Sequence, residues 1–234
     1  MIKTMHRLAM VAAIIAFCVI VLGAWVRLSH AGLGCPDWPG CYGQLTWPGA
    51  VAEIETANQA FPERPFESSK AWKEMVHRYL AGSLMLLVFA MSWLAWRGPE
   101  RLHKFRALAT SLTILIIFQA LLGMWTVTLK LKPIIVMAHL IGGLGSFSLI
   151  LWLMFSSRRQ FIYKPSMNIR RMRNPIIVAI VVLGMQIALG GWNSAIYAAL
   201  ACPDFPTGSG EGGRDATFCE GFRLWRVVGV LEVG

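Results

Sequence analysis

Two histidines, His77 and His139, are unusual because each lies in or beside a long run without charged residues. His77 precedes one run, and His139 lies six residues into another, about 9 Å along a helix at 1.5 Å per residue. If both runs start on the same side of a membrane, the two imidazoles lie at similar depth. Ionisable groups within a membrane are costly and usually functional, and two facing imidazoles could ligate a haem iron or form a proton relay.

A carboxylate, Glu74, precedes the first histidine by three residues. On a helix it would share a face with His77, where it could orient the imidazole, accept a proton or stabilise a cation. The alternative is a solvated acid at the membrane surface that pairs with Lys73 or Arg78, because exposed ion pairs are common.

Small residues and amides recur near these positions. Gly142 and Gly143 follow His139 on its own helical face, where they leave room for a flat ligand or serve helix packing. Gln119 and Gln186 each begin the pattern Gln-x-x-x-Gly-x-Trp. We expect these buried amides to hold neighbouring helices together.

The elements that position these residues are predicted to be membrane helices. Hydrophobic residues make up 56% of the 234 residues and charged residues 15%, against about 45–50% and a quarter in soluble domains. Each of five runs lacks Asp, Glu, Lys and Arg and reaches or approaches the roughly 20 residues that span a bilayer: 8–26, 79–96, 107–129, 133–157 and 174–203. An all-α protein with five transmembrane helices is therefore predicted, near 8–28, 77–97, 107–129, 133–156 and 175–197. The first run is too long for a signal peptide and lacks a small-residue cleavage site.

The net charge of +10 is explained by orientation in the membrane. Twelve basic residues lie in the N-terminal segment and in the loops 97–106 and 158–173, on one side of a five-span protein. The positive-inside rule makes that side the cytoplasm, which places the N-terminus inside and the C-terminus outside. No nucleic-acid partner is expected, because the basic residues do not alternate with aromatic ones as in a nucleic-acid groove.

A repeat relates the first and fifth runs. Residues 22–41 align with residues 189–208, and nine of twenty positions are identical, including Cys-Pro-Asp-aromatic-Pro. Both spans run in the same direction, so a parallel repeat of a four-helix unit is predicted. We assign residues 1–173, which contain the histidine pair, to a first half and residues 174–234 to the start of a second half. Counterparts of spans 2 to 4 do not follow before Gly234.

Four of the five cysteines are predicted to face the outer, oxidising compartment, in which disulfides persist. Two of them lie in the segment Gly-Leu-Gly-Cys35-Pro-Asp-Trp-Pro-Gly-Cys41-Tyr-Gly-Gln. Together with Glu74-x-x-His77-Arg78, the helix of His139 and the second Cys-Pro-Asp motif, this segment closely resembles the haem A synthase family. The resemblance covers nearly the whole chain.

The resemblance implies a function and a set of site residues. Members of the family oxidise the C8 methyl of haem O to the formyl group of haem A, for cytochrome c oxidase. By the family pattern, His77 and His139 are axial ligands of the haem iron, and Glu74 is the functional acid. Cys35 and Cys41 match a pair proposed to form a disulfide or to take part in redox chemistry.

The same resemblance implies partners and a location. Haem O is the substrate, haem A is the product, and haem b is the cofactor of the second half. Haem O synthase and an electron acceptor are the expected partners, a homo-oligomer is compatible, and the bacterial inner membrane is the expected location, with the C-terminus in the periplasm.

The sequence departs from the family pattern in its second half. Gly208 stands where the second motif has its partner cysteine, so Cys202 pairs with Cys219 or stays free. The second histidine pair would fall beyond Gly234, which indicates a C-terminally truncated member or one completed by a partner. The alternatives are a non-catalytic bis-histidine haem protein for haem delivery or electron transfer, and an inactive fragment of the synthase.

Overall fold

The computed structural model describes residues 1–158 and 168–196, and of residues 168–171 only the backbone. Within these ranges the protein is helical and contains no β-strand. A short 3₁₀ helix spans Glu100–Phe105, and the α-helices are α1 (Ile2–Leu28), α2 (Val51–Ala60), α3 (Ser68–Arg97), α4 (Arg106–Thr128), α5 (Pro133–Ser157) and α6 (Asn168–Ala195). The described residues do not include Cys202, Cys219 or residues 197–208 of the second copy of the repeat.

Among the described residues, five helices are long and apolar enough to cross a membrane: α1, α3, the 3₁₀ helix continued by α4, α5, and α6. The predicted all-α, five-span membrane protein is therefore confirmed. Three helices begin earlier than the charge-free runs suggested, α1 at Ile2, α3 at Ser68 and α6 at Asn168. Charged residues belong to these first turns because a helix continues into the membrane interface, where water solvates its side chains. As a result, Glu74 and His77 lie on one continuous helix.

The described residues belong to two compact units, residues 1–158 to the first and residues 168–196 to the second. In the first unit, α1 packs against α3 and α5, and α4 packs against the same two helices. This is a four-helix bundle in which α1 lies diagonally from α4, and α3 lies diagonally from α5. In the second unit, α6 contains Pro175 and exposes most of its described side chains. The division of function at residue 173 stays a prediction.

We call the end of the bundle near Leu28, Thr128 and Pro133 the loop end, because residues 29–67 connect α1 to α3 there. Toward the opposite end, the core is closely packed around a strip of buried alanines on α1. Small residues allow helices to approach closely, which is the main source of packing energy in a membrane. The strip consists of Ala9, Ala12, Ala13 and Ala16.

The loop has its own small core. Cys35 and Cys41 form a disulfide with a Cα–Cα distance of 4.9 Å, and both cysteines are fully buried. The Tyr42 ring packs edge-on against Phe61 and Phe66, with centroid distances of 5.6 and 5.4 Å. The loop is therefore a folded cap on the first unit.

Helix α2 within the loop begins with a carboxylate that satisfies free backbone amides. Glu53 accepts hydrogen bonds from the N–H groups of Gly49 and Ala50, at 2.9 and 3.1 Å. These bonds hold the pKa of the Glu53 carboxyl below its ordinary value, because they favour the charged form.

Candidate functional site

His77 faces α1 from the middle of the first half of α3. Its ring lies against the main chain of Val19 and beside Gly23, where an added Cβ would stand 3.0 Å from the ring carbon Cε1. Its Nδ1 atom is buried and completes no hydrogen bond with the described residues. The ring thus fits against α1 only because residue 23 has no side chain.

His139 occupies a corresponding position on α5 and faces α4. Its ring lies against the main chain of Gln119 and beside Gly123, where an added Cβ would stand 3.5 Å from Cε1. Its Nδ1 atom is likewise buried without a completed hydrogen bond in the described part of the chain. Each imidazole therefore packs against the main chain of one residue and against a glycine four positions later on the same helix.

The two rings belong to diagonal helices of the bundle. The ring-packing glycines, Gly23 and Gly123, each lie five residues before the end of their helix. Counted from the loop end, both histidines are therefore at about 7–9 Å depth. The structure brings together the pair that the sequence singled out.

Two imidazoles alone fit one class of metal site. No group of three or more His, Cys, Asp or Glu side chains that could hold a metal ion occurs among the described residues. A bare zinc ion needs about four protein ligands, whereas the iron of a haem needs only one or two. Buried ring nitrogens without completed hydrogen bonds also fit a flat iron chelate, and the two glycines let the rings lie close against the helix backbones.

Glu74 is buried, at 5% exposure, so its interpretation as a solvated surface acid is wrong. Its Oε2 accepts a hydrogen bond from the backbone N–H of Cys35 at 3.0 Å. Its Oε1 pairs with Nη2 of Arg78 at 2.5 Å, and this choice of partner had been left open between Lys73 and Arg78. Lys73 instead lies over the ring of Trp25, 4.9 Å from its centroid.

Arg78 connects this carboxylate to the disulfide loop. Its Nη1 donates to the carbonyl oxygens of Asp37 at 3.0 Å and Pro39 at 3.3 Å, and to that of Gly40. A guanidinium can satisfy several acceptors at fixed angles, which an ammonium cannot do as well. One side chain therefore holds both the carboxylate beside His77 and the backbone of the loop.

The loop reinforces this arrangement with a second carboxylate. Asp37 accepts hydrogen bonds from the N–H groups of Tyr42 and Gly43, both at 2.7 Å. The disulfide between Cys35 and Cys41 closes the same segment, as the family resemblance implied. The amide of Cys35 that contacts Glu74 is thus part of a covalently closed, hydrogen-bonded turn.

Sequence reasoning missed the two glycines that contact the rings. It placed small residues on the histidine's own helix, at Gly142 and Gly143, but the structure places Gly142 against the Gln119 amide. The missed signal was the pairing of Gly23 and Gly123, which lie at the same distance from the loop end on the two other helices. The role of Arg78 toward the loop was also missed, because its acceptors are backbone carbonyls.

Comparisons with known proteins show which proteins the chain is similar to. The profile of the cytochrome oxidase assembly protein family matches residues 6–228. The chain is 46% identical to a haem A synthase from Shewanella oneidensis over 82% of its own length, and 28% identical to a haem A synthase from Shouchella clausii over 89%. A haem A synthase from Bacillus licheniformis is 26% identical over 90% of the chain. No solved structure matches it.

The matched part covers 58% of the Shewanella protein and 65% of each of the other two. The chain thus spans about three fifths of the length of these relatives. Because the family profile matches almost all of its residues, the chain belongs to the cytochrome oxidase assembly protein family.

Proposed function

We propose that this chain binds haem O between His77 and His139 and acts in its oxidation to haem A. The observation that carries the proposal is the diagonal histidine pair at one depth, with the buried Glu74 one helical turn nearer the loop. Ligation through Nε2 would leave Nδ1 to donate toward the main chain of Val19 and of Gln119, which fixes the ring orientation.

The reaction proposed is the oxidation of the C8 methyl group to a formyl group. One water supplies the oxygen, and the methyl carbon gives up four electrons in two two-electron steps. Four protons are released, two from the methyl group and two from the water. The electrons pass to an external acceptor in the membrane, which is a required partner. The macrocycle with its iron supplies the redox chemistry, while the protein supplies position and charge.

Glu74 is the residue proposed to act on the reacting carbon. A carboxylate at this position can accept a proton released from the methyl group or stabilise positive charge that develops there. The amide of Cys35 and the guanidinium of Arg78 hold both of its oxygens, so the carboxylate is aimed before substrate binds. Preorganised charge of this kind is effective where water is excluded.

The cellular setting is part of the proposal. The chain lies in a bacterial inner membrane with its N-terminus in the cytoplasm, so the loop end faces the periplasm. Haem O synthase supplies the substrate, haem A passes to the oxidase, and a homo-oligomer is compatible with the exposed apolar helix faces. Haem b would belong to residues of the family's second half.

The test is haem analysis of membranes that contain haem O but no other haem A synthase. Membranes expressing the unaltered chain are expected to accumulate haem A, and the variants His77→Ala and His139→Ala are expected to accumulate none. His103→Ala is the matched control, because His103 lies on the 3₁₀ helix at the opposite end of the bundle. Haem O that is bound but unchanged would favour the non-catalytic carrier instead.

A further inference from the structure

The side-chain amide of Gln119 on α4 is buried but incompletely hydrogen-bonded. The residue is 7% exposed, and its Nε2 atom finds no partner among the described residues. An amide donor that leaves water without a new acceptor costs free energy, especially within a membrane. The prediction that this amide holds neighbouring helices together therefore does not explain why its Nε2 atom is buried without a hydrogen bond.

The amide lies in the interface between α4 and α5. A Cβ added at Gly142 would overlap Nε2, and one added at Gly143 would stand 3.9 Å from Oε1. Gln119 is nine residues before the end of α4, and Gly142 is nine residues after the start of α5. Both are thus about 13 Å from the loop end, roughly one helical turn deeper than His139.

The chemistry of haem O indicates which of its edges reaches this depth. An axis through His77 and His139 crosses the bundle, so a macrocycle bound between them stands with its edges toward the two ends of the bundle. The basic residues Arg27, Lys73 and Arg78 lie at the loop end, which suits the anionic propionates. The hydroxyethylfarnesyl group is attached to the opposite edge of the macrocycle and therefore extends toward the apolar, deeper part.

We propose that Gln119 donates a hydrogen bond from Nε2 to the hydroxyl oxygen of this hydroxyethylfarnesyl group. The inference rests on the proposed binding of haem O between the two histidines. Ser146, about one helical turn deeper on α5, is also buried and polar, but its hydroxyl already donates to the carbonyl of Gly142 at 2.9 Å. The amide of Gln119 therefore has an unused donor where the substrate has an oxygen.

This contact makes Gln119 a specificity-determining residue. Haem B carries a vinyl group in place of the hydroxyethylfarnesyl group, so it would leave the buried amide unpaired. A site built to bond a hydroxyl discriminates against a ligand that lacks it, because its own polar group stays unsatisfied. The farnesyl chain adds apolar affinity, but that part does not depend on residue 119.

The test compares two haems in binding to two proteins. Haem O and haem B are titrated separately into the purified full chain and into Gln119→Leu, and binding is followed by absorbance. We expect Gln119→Leu to weaken haem O binding about 5- to 30-fold and to leave haem B binding within about twofold. The thermal stability of the haem-free variant should equal or exceed that of the unaltered chain, because an unpaired buried donor is removed.

Two further variants serve as controls. Gln119→Met keeps the length of the side chain in case leucine packs poorly against Gly142, and Gln186→Leu removes the amide of the similar pattern on α6. The first should reproduce the selective loss of haem O affinity, and the second should leave the ratio of the two affinities unchanged.

Equal losses for both haems, or no loss for either, would overturn the role of Gln119 while leaving the histidine pair in place. Failure of the unaltered chain to bind either haem would overturn the proposed function together with this inference.

Discussion

His77 and His139 each face the main chain of one residue and a glycine four positions later: Val19 and Gly23 on α1, and Gln119 and Gly123 on α4. Their further surroundings differ. The helix of His77 carries the buried Glu74–Arg78 pair that is bonded to the disulfide loop, whereas the helix that His139 faces carries the buried, uncharged amide of Gln119. The difference suggests that one side of the site performs chemistry and the other side selects and holds the macrocycle.

The largest effect is expected from removing the charge on the reactive side. Glu74→Gln keeps the side-chain volume and an oxygen for the Cys35 amide, so haem O should still bind. Haem A formation should fall by about 10²- to 10⁴-fold, the usual contribution of a positioned acid or base. Extracted haem is resolved by chromatography, with Glu67→Gln as control, since Glu67 is an exposed acid paired with Lys70. Normal haem A output from the Glu74 variant would remove this residue from the mechanism.

A smaller but broad effect is expected from Arg78→Gln. The change leaves a buried carboxylate unpaired and frees the loop carbonyls at Asp37 and Pro39, so the loop should open more often. The Cys35–Cys41 disulfide should then be reduced by dithiothreitol about tenfold faster, as measured by alkylation and mass spectrometry. Lys73→Gln is the control on the neighbouring turn. An unchanged reduction rate would show that Arg78 does not hold the loop.

The two ring-packing glycines allow a direct comparison of the two sides. A methyl group at residue 23 would stand 3.0 Å from the His77 ring, closer than an ordinary contact, while one at residue 123 would stand at 3.5 Å. Gly23→Ala should therefore weaken haem O binding about fivefold. Gly123→Ala should stay within about twofold, because its methyl group makes a normal van der Waals contact. Equal effects would mean that the rings do not occupy these positions when haem is bound.

The smallest effect is expected from a change in the loop, away from both histidine rings. The Tyr42 hydroxyl donates to the carbonyl oxygens of Arg64 at 3.1 Å and Pro65 at 3.3 Å. Burial, with a contribution from Glu67, raises the pKa of Tyr42 above its ordinary value. The folded loop therefore favours the protonated phenol, and its contribution to stability is intact below about pH 10 and declines above it.

Tyr42→Phe should lower the free energy of unfolding by about 1 kcal/mol at neutral pH. It should also flatten the decline in stability at alkaline pH. Thermal unfolding at several pH values measures both effects, and an unchanged alkaline decline would assign it to another group.

The sequence predicted the spans and the depth of the histidines because a bilayer imposes simple rules. A helix must satisfy its own backbone in lipid, so a charge-free run of sufficient length has few alternatives. Residue counting from the ends of such runs then places His77 and His139 at one level. The predicted starts of the first, second and fifth spans were late, because each charge-free run begins directly after an arginine, whereas the helices begin at Ile2, Ser68 and Asn168.

The packing partners could not be predicted in the same way. Which residue faces a histidine depends on the rotation of each helix about its own axis, and the runs are apolar on all sides. The sequence therefore did not show that Gly23 and Gly123 contact the histidine rings. The acceptors of Arg78 are main-chain carbonyls, which every residue has, and so its sequence neighbours gave no indication of them. The burial of Glu74 likewise depends on the loop folding over the end of α3.

The central claim is that His77 and His139 ligate one haem together, and electron paramagnetic resonance of the ferric, haem O-loaded chain tests it most directly. The account predicts a low-spin bis-histidine signal for the unaltered chain and for His103→Ala. It predicts loss of that signal in both His77→Ala and His139→Ala. A low-spin bis-histidine signal that persists in either of these two variants would contradict the account.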